Sequence, residues 1–342
     1  MQPIKSILSI DGGGIRGIIP ALVLVELERI LQQKTNDANA RAVQHFDLFA
    51  ATSSGAILAS ILLFPDESGS KPKFSAQDAV QLYIEHGAAI FHTSPLSKLL
   101  AKVGLLSEKF SPNNMEQIFA SYFGETKISQ LLKPCLITSY NIELRKAHFF
   151  RQHVARQKGN SKDFYVRDAC RATCAAPSYF PPAEIYSLSK TRYPLIDGGI
   201  VANDPILAAI IESARISGVD NPSKKIVLSL GTGINSTAYH YDVMRNRSAI
   251  RTVPYLLDMM MSSSSEISQF IAKEIFKTNK LSNHYLRITP TNLSSIDENI
   301  DNASSKNIDK IKALGERLAT ENSEAIERLV ETLLENENKD TA

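Results

Sequence analysis

Three times in this 342-residue chain a short apolar run ends in a corner of glycine and other small residues. The runs are Ser6–Ile10 before Asp11–Gly17, Asp47–Ala50 before Ala51–Ala56, and Tyr193–Ile196 before Asp197–Gly199. Helical patterns follow, so strands and helices alternate. A parallel strand pair needs a crossover long enough to hold a helix, so this alternation predicts an α/β fold. The expected architecture is three-layer α/β/α with a mostly parallel central sheet. In such sheets, sites open at the carboxyl ends of the strands, where all three corners would lie.

The middle corner is the tightest. Reversing from strand to helix within two or three residues cramps the backbone of the apex residue, Ser53. Its small neighbours leave the hydroxyl unshielded, beside the positive end of a helix. Ser53 then reads either as a nucleophile or as the N-cap of a helix over 54–64. The first corner, Gly12-Gly13-Gly14, allows successive N–H groups to converge as an anion nest. A phosphate is one candidate anion. However, Gly14-Ile15-Arg16 lacks the Gly-Lys-Ser/Thr of a P-loop, and Gly12-x-Gly14-x-x-Gly17 is too short a dinucleotide pattern to stand alone. The other candidate is the oxyanion formed when a serine attacks an ester. A serine also needs a base. Asp197, held by Gly198-Gly199, is one option; His240 or His284, in Ser-Asp-His order, is the other.

Composition narrows the class. With 43% hydrophobic and 22% charged residues and a formal net charge of +2, the chain is an ordinary globular protein and not a nucleic-acid binder as a whole. Residues 291–342 carry twelve acidic and six basic side chains, which leaves a mildly basic body compatible with anionic lipid surfaces. Cys135, Cys170 and Cys174 include no C-x-x-C pair, which favours a reducing, cytoplasmic setting without disulfides or a zinc cluster. Neither a secretory leader nor a run of about 18 apolar residues is visible, so any membrane contact is expected to be peripheral.

The other periodicities place the remaining elements. Leu22, Val25, Leu27, Ile30 and Leu31 mark a helix after the first corner, with Pro20 near its start. Ser75–Asp78 resembles a capping box with Asp in place of Glu. Residues 90–110 are either a mobile cover over a site or a packed connection. Helices are expected over Ser111–Phe123, Phe164–Ala175 and Ile206–Ile216; strands over Pro134–Tyr140, Lys146–Arg151, Lys225–Gly231 and His284–Ile288. Residues 254–278 read as helical, with Ile267, Phe270, Ile271 and Ile275 on one face and a break at serines 262–265. Met259–Met261 suit an acyl-chain groove, a flexible core or a subunit contact. Arg145, Lys146 and Arg151 read as a solvated hairpin face. A last acidic helix is expected over Ile308–Leu334 for packing or dimerisation. The chain thus divides into a body, 1–290, and an acidic helical segment, 291–342.

The corners together, Asp11–Gly17 (DGGGIRG), Ala51–Gly55 (ATSSG) and Asp197–Gly199 (DGG), resemble the patatin-like phospholipase family. Ala172–Pro182, Val201–Pro205 and Leu228–Gly233 are similar to further family segments, in family order. The resemblance runs from about residue 6 to 233 and implies a patatin-like fold and a Ser-Asp dyad without histidine. Ser53 would be the nucleophile and Asp197 the base. Gly13, Gly14 and the N–H of Ser54 would form the oxyanion hole. Gly12, Arg16, Gly55 and Gly198 would support it, Arg16 by holding the glycine loop, near the lipid phosphate. One departure is Ala51, where the family carries glycine; at positive φ it would cost about 1 kcal/mol. The expected activity is acyl-ester hydrolysis of membrane phospholipids or lysophospholipids, without metal or cofactor, so a chelator should leave the rate unchanged. A homodimer and a small-molecule activator are compatible with this reading. The rival is a nucleotide-binding or cyclic-nucleotide-activated effector using the Gly12–Gly17 loop or a second basic site.

Overall fold

The computed structural model describes residues 4–91, 112–177, 179–218, 225–234 and 238–341. Eight strands form one sheet: β1 (Ser6–Ile10), β2 (Leu48–Ala51), β3 (Cys135–Asn141), β4 (Lys146–Arg151), β5 (Ala183–Tyr186), β6 (Arg192–Asp197), β7 (Ile226–Leu230) and β8 (Tyr285–Ile288). The order is β5-β6-β3-β2-β1-β7-β8, with β4 paired to β3. The run β3-β2-β1-β7-β8 is parallel, whereas β4, β5 and β6 pair antiparallel. The central strands β1, β2 and β7 are buried throughout, as the faces of a helix-covered parallel sheet must be. β5 was not expected; its four residues, AEIY, are too short to announce a strand.

One detail of the pairing places the site. β3 gives Leu136–Asn141 to β4 on one edge. The other edge is shared: Cys135–Ile137 pair with β2, and Ser139–Asn141 pair with β6. β6 therefore takes up the edge that β2 leaves when it turns at Ala51. Asp197, opposite Ser139, arrives beside Ser53.

The helices cover both faces. On one, Ile18–Thr35 packs against the C-terminal helices Ser305–Glu321 and Ser323–Thr341, the second of which also reaches β7. Ile311, Ile326 and Leu333 join Leu24, Leu27 and Leu31 in a single core. The acidic segment thus packs on the body, while its acidic residues face outward on the opposite sides of the two helices. On the other face, Ile206, Ile210, Ala272 and Phe276 pack on Ile7, Leu48 and Val227.

Several expectations need correction. The helix expected over Ile308–Leu334 is two helices that meet at Asn322, whose side-chain amide donates to the Leu318 carbonyl at 2.8 Å and closes the first one. The serines 262–265 do not break a helix; Ala249–Thr278 runs straight through them. Ser262 donates back to the Asp258 carbonyl (2.8 Å), and Ser265 accepts from the Asn203 amide (3.1 Å), so these hydroxyls are satisfied without leaving the helix. The cover expected over 90–110 lies, from residue 92 on, outside the described residues. The Ser75–Asp78 box is present: Ser75 N–H donates to Asp78 Oδ2 (2.7 Å), and Asp78 N–H donates to Ser75 Oγ (3.2 Å). All three cysteines are buried and free.

Candidate active site

Ser53 ends the β2 turn with φ 52° and ψ −126°, a conformation few side-chain-bearing residues adopt. Three contacts hold it there. Its own N–H donates to Thr173 Oγ1 at 2.8 Å. Thr52 Oγ1 lies 2.7 Å from both Thr138 Oγ1 and the Ala202 carbonyl, to which it donates. Gly55 lets the following helix come down onto β1; a Cβ there would sit 2.5 Å from the Asp11 carbonyl oxygen and 2.7 Å from that of Ile10. The strain sits on Ser53 alone. Ala51 is an ordinary strand residue, paired with Ile10 and Ile137 and absent from the positive-φ positions, so the penalty considered for alanine there does not arise.

Ser53 Oγ donates to Asp197 Oδ2 at 2.8 Å. The other carboxylate oxygen, Oδ1, accepts the Gly199 N–H at 2.6 Å, and the Asp197 N–H donates to the Ala175 carbonyl at 3.0 Å. Asp197 is buried. Burial pushes its carboxyl up to about 7 against the opposing pull of the Gly199 and Ser53 hydrogen bonds. Cys174 lies against the pair; burial first, and Asp197 second, hold its thiol well above the usual range, so it stays protonated. Neither histidine candidate is at this site. His240 precedes the short helix Tyr241–Arg245, and His284 ends a turn before β8.

The glycine loop faces the pair. Gly13 and Gly14 line a narrow cavity of about 30 Å³ over Ser53 and Asp197, closed by Phe91, Tyr179, Met261 and Ile300. Gly14 has φ +56°, and a Cβ on it would meet the Ile300 carbonyl oxygen at 2.2 Å, so only glycine fits. The Gly13 N–H donates to Ser54 Oγ at 3.1 Å, which adds a side-chain role for Ser54 to its N–H at the helix start. The Gly12 N–H donates to the Asn203 carbonyl (3.1 Å) and the Ile15 N–H to that of Ile300 (3.0 Å). With these amides committed inside the protein, the loop is poorly suited to cradle a phosphate chain. Gly198 starts the short helix Gly199–Ala202.

Two parts of the site carried no signal as a site in the sequence. Thr173 was visible only as a member of a similar segment. Arg287, on β8, forms a buried cluster: Nη1 and Nη2 donate to Asp11 Oδ1 (2.9 Å) and Oδ2 (2.5 Å), and Nη1 lies 3.2 Å from Asp204 Oδ2. Burial pulls Arg287 down, but the two carboxylates outweigh it and keep it charged. Burial also raises Asp11, to about 7, against the pull of Arg287. The cluster ties the start of the glycine loop to the far edge of the sheet. Arg16 is buried in the wall of a second, larger cavity of about 1010 Å³, which shares Tyr179, Met261 and Ile300 with the narrow one. Burial lowers Arg16 to about 10. The wall sets Arg16, Arg247 and Arg287 against Asp11, Asp258 and Glu298; it is balanced in charge, not the basic site considered above.

A strained serine on a strand-to-helix elbow, a buried carboxylate and a glycine loop thus meet around one narrow cavity. Residues 8–210 match the Patatin-like phospholipase family, and the chain belongs to that family, a class of lipid acyl hydrolases. It is similar to Patatin-like protein 4 of Arabidopsis thaliana, at 31% identity over 93% of this chain and 84% of the relative. It is also similar to Patatin-2-Kuras 3 of Solanum tuberosum, at 30% identity over 92% and 83% respectively. Among solved structures, VipD from Legionella pneumophila aligns over 92% of this chain and 67% of its own, with 13% identity and a TM-score of 0.35, too distant to add to the assignment.

Proposed function

We propose that the chain hydrolyses carboxylic esters of phospholipids or lysophospholipids through Ser53 and Asp197. The observation that carries this reading is the 2.8 Å hydrogen bond from a strained, elbow-borne Ser53 to a buried carboxylate. Asp197 takes the Ser53 proton as Oγ attacks the ester carbonyl carbon. The negative charge that develops on the carbonyl oxygen meets the N–H groups of Gly13, Gly14 and Ser54. For Gly13 this means exchanging its bond to Ser54 Oγ for one to the oxyanion. The C–O bond to the glycerol side then breaks, Asp197 returns the proton to the leaving alkoxide, and an acyl-serine remains. Water, deprotonated by Asp197, attacks that ester; the bond from the acyl carbon to Ser53 Oγ breaks, Asp197 returns the proton to Oγ, and the fatty acid leaves.

A fluorophosphonate probe tests the nucleophile without choosing a lipid. Wild-type protein should be labelled and Ser53→Ala should not; a folded wild type that stays unlabelled contradicts the reading. Lipid products identified by mass would then fix the ester position and headgroup.

The base predicts a pH profile. Asp197 can accept a proton only as carboxylate, the form that dominates above its value of about 7 and is lost below it. The hydrolysis rate, kcat/KM, should therefore rise from about pH 5 and level off above about pH 7 to 8. A rate that is flat, or that falls, across that interval would remove Asp197 from the role.

A further inference from the structure

The cavity of about 30 Å³ over Ser53 has room for a few waters at most, and for neither half of a lipid ester. The neighbouring cavity, about 1010 Å³, is of a size that holds a whole organic ligand. The two share Tyr179, Met261 and Ile300, so they meet across these side chains. Ile300 is fixed by the bond between its carbonyl and the Ile15 N–H. Met261 is unbranched, and its terminal methyl lies against Gly199, beside Asp197: a Cβ on Gly199 would sit 3.0 Å from it. Met261 is therefore the member of the three best able to yield to an ester whose carbonyl lies at Ser53.

The linings differ. The narrow cavity is walled largely by apolar groups, Phe91, Ala176 and Phe180 among them. The larger one carries three arginines and three carboxylates, with Asn246, Ser248 and Asn299 between them. An alkyl chain laid there would strip charged groups of polar contacts, so this lining suits the polar leaving half of an ester and not its acyl chain. Two of its polar groups are incomplete. Asn203, 9% exposed, has a buried Oδ1 with no hydrogen-bond partner among the described residues. Arg247 forms no ion pair among the described residues, yet it is held in place. Its guanidinium lies 4.1 Å from the Tyr255 ring centroid, Tyr255 meets Tyr239 edge-on at 5.0 Å, and Tyr239 Oη donates to Asp258 Oδ2 at 2.5 Å. A stacked guanidinium with no carboxylate of its own matches a phosphate. Asp258 and Glu298 share the wall, so the cavity meets charge of both signs, as a zwitterionic head offers.

We infer that the larger cavity is the leaving-group site: it takes the glycerophosphate end of a zwitterionic lipid, with Arg247 on the phosphate and the ammonium toward Asp258 and Glu298. The inference rests on the ester-hydrolase reading above. Arg247 lies beyond residue 210, where the family match ends, so choice of headgroup falls to this chain's own C-terminal part. The test compares two soluble esters with the same acyl group, dibutyryl phosphatidylcholine and p-nitrophenyl butyrate, of which only the first brings a phosphate. In Arg247→Gln the ratio of kcat/KM on the first to kcat/KM on the second should fall at least about tenfold. Arg245→Gln removes an equal charge from an exposed neighbour and should leave that ratio within about twofold of wild type. Titration with glycerophosphocholine, which has no acyl ester, reads the cavity without turnover; Arg247→Gln should bind it at least about tenfold more weakly than wild type. A ratio that Arg247→Gln leaves unchanged overturns the inference. So does inorganic phosphate that binds wild type more tightly than glycerophosphocholine does, since the cavity would then be a site for free phosphate. A wild type that cleaves neither ester counts against the hydrolase reading; the leaving-group site then stands or falls on whether Arg247→Gln weakens glycerophosphocholine binding.

Discussion

Replacing Ser53 by alanine is expected to lower kcat on the order of 10⁶-fold, the loss seen when a serine nucleophile is removed from a working site. Asp197→Asn should cost on the order of 10⁴-fold. The second figure has a specific cause here. Both carboxylate oxygens of Asp197 accept, one from the Gly199 N–H and one from Ser53 Oγ. An asparagine can offer only one acceptor. The Gly199 amide, fixed at the helix start, will claim it, and the NH₂ group will then face Ser53 Oγ and reverse the hydrogen bond. The serine would be held as an acceptor with no base. Because the two residues act as a unit, the double substitution should lose little more than Ser53→Ala alone. Initial rates on a phospholipid for the three variants decide the matter; near wild-type turnover by Asp197→Asn would end the dyad mechanism.

Arg287→Met is expected to destabilise the fold by about 3 to 5 kcal/mol, because it leaves the buried carboxyls of Asp11 and Asp204 without their cation. The deficit should depend on pH in a defined direction. Burial holds Asp11 up to about 7 and also raises Asp204, and removing Arg287 raises both further. A carboxyl raised in the folded state favours folding at low pH, where it is protonated, and loses that advantage as pH rises through its folded value. Urea unfolding should therefore show a larger gap between variant and wild type near pH 8 than near pH 5.5, both taken as approximate working points. An equal gap at the two pH values would mean that the cluster acts by packing and not by charge.

The parts of the site legible in the sequence were those whose chemistry is local. The Ser53 elbow, the Gly12–Gly14 loop and the Asp197 corner each declare themselves within a few residues, because small side chains are required wherever backbone approaches backbone. What could not be read is what depends on strand order. Nothing near Arg287 shows that β8 lies beside β7, and hence that Arg287 reaches Asp11 across Ser229. The residues alone left Asp197 and a histidine open, and only the family resemblance favoured Asp197; that β6 continues the edge left by β2, and so brings Asp197 beside Ser53, depends on strand order. The long helix was read correctly as apolar on one face, but hydrophobic spacing does not report what a face meets, and Ile267 and Phe270 lie exposed. The serine run misled because hydroxyls that bond back to the preceding turn can stay helical.

The Ile300 carbonyl, which accepts the Ile15 N–H and closes on Gly14, has a consequence in time. The glycine loop, Ser53 and Asp197 emerge first, within the part of the chain that matches the family. Ile300, which braces the loop, is made after all three, and the two helices that pack against Ile18–Thr35 follow it. A nascent chain therefore holds Ser53 and Asp197 before it holds the carbonyl that braces Gly14. Under the proposed mechanism, hydrolysis would begin only once Ile300 and the two helices after it have been made and docked.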